Sequence, residues 1–590
     1  MKLRKFYSVL VLAGLLVGNP GCKGFFDVNV DPLRPTQADL QQLLPVAQTA
    51  VSTYLGFSIA GLGQPTSALM QQLSNGRGIG TFQQNGDSFS NAWNGLYSDM
   101  LANNELIITK GTAEQRWGYV GVAQLQKAYV FSQMVDMFGD IPYSEALRGA
   151  GNTSPRFDKD ADIYNGNASL GIQGLFQLID EGLANLAKPG ASVQGTADLF
   201  YGGAISKWAR FGRTLKLKLY VQIRKTRPDA FRPEVTTLLA GALANTDAAG
   251  LLDANSDFEF KYGASESPAN RNIGFLSDYV DVARENHVGR YLYLFMRYGD
   301  GARVSNPVNV RPADPRIPYY FFNQNTSRTV DLSAFDYQDP NDGRFVTTRQ
   351  GSTGPANASA LSSSTRTLPG LYPIGGRYDD GRGGNANTTY GRGLVAQRLL
   401  PYFSRKFLEA EAQLVIMNDR AAARTAFQAA VQASFDKVNA IALAEGTPTT
   451  PTTTSGAPYP TAIPAGSRAL APIPAAEIAA YITAALARFD GATPLRIIME
   501  EKYVASFGMG PDIYTDWRRT GFPVITVPDN SNIGNNAGLV EDNDPVTRGA
   551  GLFPRRLFYS QQDLTANANP AAPKGQVDPT SPNYRIFWDR

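Results

Sequence analysis

Cysteine and histidine are nearly absent from this chain of 590 residues, which contains one of each, Cys22 and His287. A zinc site usually takes several Cys or His ligands, and a disulfide within the chain needs two cysteines. A Ser-His-Asp or Cys-His enzyme would have to be built around His287 alone, for which we favour a structural or surface role. The composition therefore argues against zinc, disulfides and histidine-based catalysis.

An excess of charge of one sign is also missing once the N-terminus is set aside. The full chain carries 55 Lys and Arg against 52 Asp and Glu, a formal charge of +3. Lys2, Arg4 and Lys5 precede Cys22, so a chain that starts at Cys22 has 52 charges of each sign. Nucleic-acid binders depend on basic surfaces that neutralise phosphates, so we exclude nucleic acid as a partner.

Long apolar runs are lacking as well, since no segment reaches the 18 or so apolar residues of a membrane-spanning helix. An apolar stretch over 6–17 follows the basic residues and precedes Gly21 and Cys22, which predicts a signal peptide over 1–21. A small residue followed by cysteine resembles a bacterial lipobox, in which cleavage leaves a lipid on the thiol. We therefore predict a lipid anchor at Cys22, and several acyl chains would tether the protein firmly.

Apolar residues recur every three or four positions over about 36–244 and again over about 394–520, the spacing of amphipathic helices. We place Pro45 in the first turn of the first helix, where its missing N–H costs little. In the second part, helices are predicted over 394–417, 421–443, 474–489 and 494–507. The pattern indicates a mainly α fold of tetratricopeptide-like stacked helical hairpins, without a regular repeat of roughly 34 residues.

Between the helical parts, from about 245 to 393, Gly, Pro, Asn, Asp and Ser dominate and predict a large loop-rich region with a few short strands. A Thr- and Pro-rich stretch over 445–467 is predicted to be a flexible surface loop. We expect the two helical parts to pack together, so that residues 22–590 form a single domain with one face built from loops.

Acidic residues offer two candidate sites that we weigh against simpler interpretations. Asp379 and Asp380 could bind calcium, which needs only oxygen ligands, but a solvated Gly-rich turn is the preferred interpretation and no metal is assigned. Glu500 and Glu501 are adjacent on a predicted helix and point about 100° apart, which suits surface ion pairs better than a shared substrate. No catalytic residue is assigned.

Six blocks, in order along the chain, closely resemble the SusD/RagB family of nutrient-binding outer-membrane lipoproteins. They are CKGFFDVNVDP at 22–32, VDMFGDIPYSEAL at 135–147, YGGAISKWARFGRTLKLKL at 201–219, DPR at 314–316, FGMGPDIYTDWRRTGFP at 507–523 and FPRRLFYS at 553–560. Glu411 fits the acidic helix of that family. The resemblance spans the chain after Cys22 and identifies residues 22–590 as SusD-like.

The resemblance implies a helical scaffold whose loop-rich face binds ligand, and which sits as a lid on a TonB-dependent (SusC-like) outer-membrane barrel. It implies a binding protein without enzymatic activity, facing the cell exterior. Oligosaccharides are the expected ligands and peptides the second choice. A surface glycoside hydrolase, which needs only two carboxylates, and a scaffold that binds only protein are the alternatives.

Sugars present apolar faces and many hydroxyls, so exposed aromatic rings would serve as binding platforms. The candidate platforms are the tyrosines of the loop-rich region, Tyr298, Tyr319, Tyr320, Tyr372 and Tyr378. The alternative, which is more common for a tyrosine in such a region, is a ring packed under a loop.

Overall fold

The structure is a computed structural model. It describes residues 38–58, 60–74, 84–227, 229–267, 269–281, 284, 286–299, 311–327, 338–339, 341–347, 364–387, 391–446, 470–525, 554–570 and 572–589. The predicted signal peptide, Cys22 and most of the predicted Thr/Pro loop lie outside these residues. The described fold is mainly α with short strands, which confirms the predicted class.

The N-terminal part is a succession of helices. Their bounds are α1 (Leu40–Leu55), α2 (Gly63–Leu69), α3 (Ser90–Gly95), α4 (Ala102–Ala113), α5 (Trp117–Phe138), α6 (Asp160–Asn165), α7 (Leu175–Leu186), α8 (Ile205–Ile223) and α9 (Arg232–Ala244). A π-helical turn over Leu96–Leu101 joins α3 to α4. Single 3-10 turns cover Gly149–Gly151, Ala168–Leu170 and Gly195–Ala197.

At the end of α5, Gly139 has a φ of 82° and Pro142 follows in a short strand, so the helix stops at Phe138. The placement of Pro45 in a first turn is wrong, because α1 begins at Leu40 and Pro45 lies inside it. The backbone N–H of Asp39 donates to Oε1 of Gln42 at 3.2 Å, an interaction that starts the helix before the proline.

The middle of the chain contains short elements. Its helices are α10 (Ile273–Phe275), α11 (Arg290–Tyr298), α12 (Ile317–Tyr320) and α13 (Leu371–Ile374), and a second π-helical turn covers Leu276–Val280. The strands of the whole described chain are β1 (Leu73–Ser74), β2 (Ile141–Pro142), β3 (Phe157–Asp158), β4 (Phe258–Phe260), β5 (His287–Val288), β6 (Phe321–Phe322), β7 (Gln338–Asp339), β8 (Asp342–Val346), β9 (Leu368–Pro369) and β10 (Gln397–Leu400).

The C-terminal part returns to helices, with α14 (Tyr402–Val415), α15 (Arg420–Gly446), α16 (Ala475–Phe489), α17 (Pro494–Ala505), α18 (Gly510–Thr520) and α19 (Gln561–Ala566), and a 3-10 turn over Pro582–Tyr584. The predicted helix over 394–417 is wrong at its start, because Gln397–Leu400 is a strand. Pro401 explains the difference, since the residue before a proline is driven to an extended conformation.

All strand pairs are antiparallel and two-stranded: β1 with β5, β2 with β3, β4 with β10, β6 with β9, and β7 with β8. Two of these pairs attach the loop-rich region to the helices. Phe260 lies opposite Gln397, and Leu73 lies opposite Val288. Lys437 on α15 adds an ion pair to Glu259 of β4 at 2.6 Å.

Helices from the two ends of the chain contact each other through α8 with α14 and through α2 with α18. Buried ion pairs join α18 to α8 and to α14. Lys218 of α8 lies 3.2 Å from Asp512 of α18, and Arg519 of α18 donates to Glu411 of α14 at 2.7 Å. Although burial alone would raise it, the charges of Arg519 and Arg224 hold the pKa of Glu411 below its usual value.

Candidate functional site

The five candidate tyrosines are all buried, with side chains between 0% and 2% exposed: Tyr298, Tyr319, Tyr320, Tyr372 and Tyr378. The structure therefore agrees with the interpretation that these tyrosines pack under loops, and none of the five stands exposed as a platform. They pack under the loops because their rings have partners there that a single sequence cannot reveal. A role for any of them in contacting ligand stays a prediction.

The structure brings four of these rings together in two pairs. Tyr320 and Tyr372 stack with centroids 4.6 Å apart and an interplanar angle of 8°, and Tyr319 contacts Tyr378 at 5.0 Å. The Arg398 guanidinium lies 4.0 Å from the centre of the Tyr372 ring. Aromatic stacking and cation–π contacts of this kind stabilise a core.

Tyr298 lies apart from the other four, at the end of α11. Its hydroxyl donates to Oδ1 of Asp339 at 2.7 Å and accepts a hydrogen bond from Nδ2 of Asn341 at 2.8 Å. Burial, with the neighbouring carboxylate, raises the pKa of Tyr298 to about 12. The phenol is therefore neutral and anchors the β7–β8 turn to α11.

A pocket of about 400 Å³ opens in the loop-rich region, and we call it the loop pocket. Its charged lining consists of Arg297, Asp314, Asp342, Arg344, Asp379, Asp380 and Glu477. Arg344 donates to Asp342 at 2.6 Å along β8. Guanidinium donors and carboxylate acceptors thus alternate on its wall, an arrangement suited to a ligand that carries many hydrogen-bonding groups.

Asp379 and Asp380 both line this pocket, but they are not a solvated turn, because their side chains are buried. Asp379 accepts hydrogen bonds from Nδ2 of Asn323 at 2.8 Å and from the backbone of Gly381 at 3.1 Å. Asp380 pairs with Arg382. Burial raises the pKa of Asp379, only partly offset by the positive charge of a nearby arginine.

Metal coordination finds no support in the described part of the chain. No group of three or more His, Cys, Asp or Glu side chains is placed there to hold an ion. The oxygens of Asp379 and Asp380 that a calcium ion would use already accept hydrogen bonds from protein groups. We assign no cation to the loop pocket.

Glu500 and Glu501 form ion pairs, but the predicted surface location is wrong, because both are buried. Glu501 accepts from Arg311 at 2.8 Å, and Glu500 accepts from Arg496 at 2.6 Å. Arg488 donates to both carboxylates, and Arg311, which binds Glu501, lies 190 residues away in sequence. The sequence did not predict this burial because the partners come from segments that are far apart along the chain.

His287 is a structural residue of β5. Burial, reinforced by the positive charges of Arg366 and Arg284, lowers the pKa of His287 to about 3. The neutral ring accepts a hydrogen bond at Nδ1 from Arg366 at 3.3 Å. The predicted structural role is consistent with this environment.

A larger pocket, of about 770 Å³, lies on the helical side of the molecule, and we call it the helix pocket. Its wall contains Trp93, Tyr97, Leu106, Pro142, Leu147 and Asp563. Sequence reasoning missed it because these residues come from separate segments, each of which resembles an ordinary helix or turn.

The sequence matches the model of the SusD-like family, described as starch-binding associating with outer membrane, over residues 49–541. The chain belongs to the SusD-like family. Solved structures of the same fold include a chitin-binding protein at 20% identity with a TM-score of 0.63, covering 94% of this chain and 100% of that one. No curated protein matches the sequence.

Two further SusD-like structures show the same fold. A SusD/RagB family protein from Bacteroides thetaiotaomicron is 18% identical with a TM-score of 0.62, and covers 94% of this chain and 99% of that one. A chitin-binding SusD homolog from Flavobacterium johnsoniae is 18% identical with a TM-score of 0.59, and covers 93% and 98%.

Within this SusD-like chain, two of the blocks that carried the resemblance also line pockets. The block at 135–147 supplies Pro142 and Leu147 to the helix pocket, and the DPR block supplies Asp314 and Pro315 to the loop pocket. Among the described helices, none is both long and apolar enough to span a bilayer.

Proposed function

We propose that this protein is a lipid-anchored receptor on the outer face of the outer membrane that binds oligosaccharides and passes them to a TonB-dependent barrel transporter. The observation that carries the proposal is membership of the SusD-like family over residues 49–541. Two proteins of the same fold are titled chitin-binding, which supports a glycan as the ligand class. The protein acts by binding, without turnover of the glycan.

The loop pocket is the proposed ligand site. Sugar hydroxyls both donate and accept hydrogen bonds, and the pocket offers carboxylate acceptors such as Asp342 beside guanidinium donors such as Arg344. Pro315, Pro318 and Phe345 supply apolar surface for the C–H faces of a sugar ring.

A peptide is the second candidate ligand. Asp314, Asp342, Asp379, Asp380 and Glu477 outnumber the two arginines of the loop pocket, and this excess of carboxylates favours a cationic peptide.

The class of ligand is tested by isothermal titration calorimetry. The full chain, purified in detergent, is titrated with chitotriose, maltotriose and a Lys-rich hexapeptide. We expect a trisaccharide to bind, and Arg344→Gln to weaken it at least tenfold. Lys216→Gln is the matched control, because Lys216 of α8 forms its ion pair with Asp180 of α7 and lines neither pocket. Binding of the peptide alone would select the second candidate, and equal losses in both variants would remove the loop pocket as the site.

The absence of turnover is tested on the same mixtures by chromatography of the glycan after a long incubation. We expect the trisaccharide to be recovered intact. Release of shorter sugars would instead show a glycoside hydrolase.

The anchor is tested by fractionating cells that express Cys22→Ala. We expect the variant to leave the membrane fraction, because the lipid has no other attachment point. A membrane-bound variant would contradict the lipidation of Cys22.

The transporter partnership is tested by affinity purification of the tagged protein from detergent-solubilised native outer membranes, followed by mass spectrometry. We expect a TonB-dependent barrel to co-purify. Its absence under gentle conditions would favour a free-standing receptor.

A further inference from the structure

The helix pocket is a formed cavity that the proposed ligand site does not use. Its volume of about 770 Å³ lies within the range of small-molecule binding sites. It opens between the α3–α4 segment, the chain after β2, and α19, which carries Asp563. The helix pocket and the loop pocket share no lining residue.

One wall of the helix pocket is the π-helical turn Leu96–Leu101, which carries Tyr97 and Ser98. Single π-helical turns inside α-helices occur frequently at functional sites, because the extra residue redirects side chains. The Tyr97 hydroxyl donates to the carbonyl of Pro142 at 2.6 Å, and its ring contacts Trp93 at 5.3 Å. The aromatic ring is therefore held in place before any ligand arrives.

Asp563 gives the pocket a hydrogen-bond acceptor that the protein leaves unused. In the part of the chain that the structure describes, its Oδ2 atom is buried and has no hydrogen-bond partner. Burial raises the pKa of Asp563 to about 6. Buried acceptors are almost always paired, so one that is left unpaired beside a cavity indicates a donor supplied from outside.

The other polar groups of the pocket favour a neutral ligand over a charged one. Glu105 already pairs with Lys127 at 2.6 Å, and Arg148 donates to the carbonyl of Ser144 at 2.9 Å. The Ser98 hydroxyl donates to Asp99 at 2.7 Å and can still accept, and the amide oxygen of Asn94 is a further acceptor. Together with the apolar surface of Tyr97, this mixture matches a ring with one apolar face and several hydroxyls.

We propose that the helix pocket is a second binding site, which takes a single neutral sugar ring, packs its apolar face against Tyr97 and Leu106, and accepts a hydroxyl hydrogen bond at Asp563. The inference shares the ligand class of the proposed function and rests on it to that extent. The protein then holds two sugar sites built from separate segments.

The test uses a substitution that fills the cavity without touching the core. Ser98 lines the pocket and is exposed, so Ser98→Trp places a large ring in the cavity. Ser169→Trp is the matched control, because Ser169 is equally exposed and lines neither pocket. Asp563→Asn removes the acceptor charge and preserves the side-chain shape.

The full chain in detergent is titrated with chitotriose, maltotriose and N-acetylglucosamine, with spermidine as a cationic probe. We expect two sugar sites per chain in the unmodified protein and in Ser169→Trp, and one in Ser98→Trp. Asp563→Asn should weaken the second site at least tenfold. Arg344→Gln should leave that site intact while it weakens the other.

Two sugar sites in Ser98→Trp with unchanged affinity would overturn the inference and leave the proposed function standing. Spermidine binding that depends on Asp563, without sugar binding there, would overturn the neutral ligand class. No sugar binding to the unmodified chain would overturn both this inference and the proposed oligosaccharide receptor.

Discussion

Glu411→Gln removes one negative charge from the fully buried contact between α14, α8 and α18. Glu411 accepts from Arg519 at 2.7 Å and lies 3.1 Å from Arg224. Arg519 keeps a second carboxylate partner in Asp516, whereas the one hydrogen bond that Arg224 makes within the described residues is to the carbonyl of Val221 at 3.0 Å. The substitution therefore leaves Arg224 as a buried charge without a counter-charge in direct contact.

The magnitude follows from the cost of breaking a buried ion pair, which is about 3–5 kcal/mol. The Gln amide oxygen still accepts one hydrogen bond, so we expect the lower end, about 3 kcal/mol. Unfolding entropy is about 2.1 cal/mol/K per residue, so the 444 residues that the structure describes correspond to about 0.9 kcal/mol per degree. The expected fall in Tm is about 3 °C.

Differential scanning calorimetry at pH 7 measures this shift. Glu234→Gln is the control, because the Glu234 side chain is 55% exposed and lies 4.0 Å from its partner Lys216. Exposed pairs contribute little, so the control should move Tm by less than about 1 °C. Equal shifts in the two variants would refute the argument that Glu411 compensates buried arginines.

Three further changes probe other parts of the fold. Burial raises the pKa of Asp136 to about 6, above its value in the unfolded chain, so the folded state gains stability as pH falls from 7 to 5. Asp136→Asn should remove about 1 kcal/mol of that gain, as measured by urea titrations at the two pH values. Gly510→Ala should cost about 1–3 kcal/mol by the same method, because its Cβ would lie 2.3 Å from the carbonyl oxygen of Gly63, whereas Gly151→Ala meets no atom within 4 Å and should be nearly neutral. Tyr372→Ala should cost about 3–5 kcal/mol, and a loss below about 1 kcal/mol would show that its stacked ring contributes little.

The helices were predictable where one face alone is apolar. In α7, Leu175, Ile179 and Leu186 are buried, and their spacings of four and seven residues, about one and two helical turns, are visible in the sequence. The start of the predicted 394–417 helix failed because Leu399 and Leu400 of β10 extend the apolar pattern of α14 towards the N-terminus. Pro401 marks the boundary between the strand and α14. A prediction based only on the spacing of apolar residues takes no account of this proline.

The candidate site was less predictable, because pockets are made by contacts between distant segments. The loop pocket joins Asp314, Asp342 and Asp379, and nothing in their local sequences indicates that they meet. The tyrosines illustrate the same limit: Tyr372 lies among glycines and prolines, yet its hydroxyl donates to Ala505 of α17. An aromatic residue in a loop-rich segment can face solvent or cover a helix, and only the tertiary fold distinguishes the two.

The pairing of β4 with β10 brings Phe260 and Gln397 to the same place, so the chain leaves the helical scaffold and returns to it at one short seam. The segment between β4 and β10 therefore begins and ends at one place on the scaffold, so it can be exchanged as a unit. Recombination between relatives at this seam would transfer the whole region from β4 to β10, while the charges buried among α8, α14 and α18 stay within the recipient scaffold. Chimeras between members of the family are therefore best cut at β4 and β10.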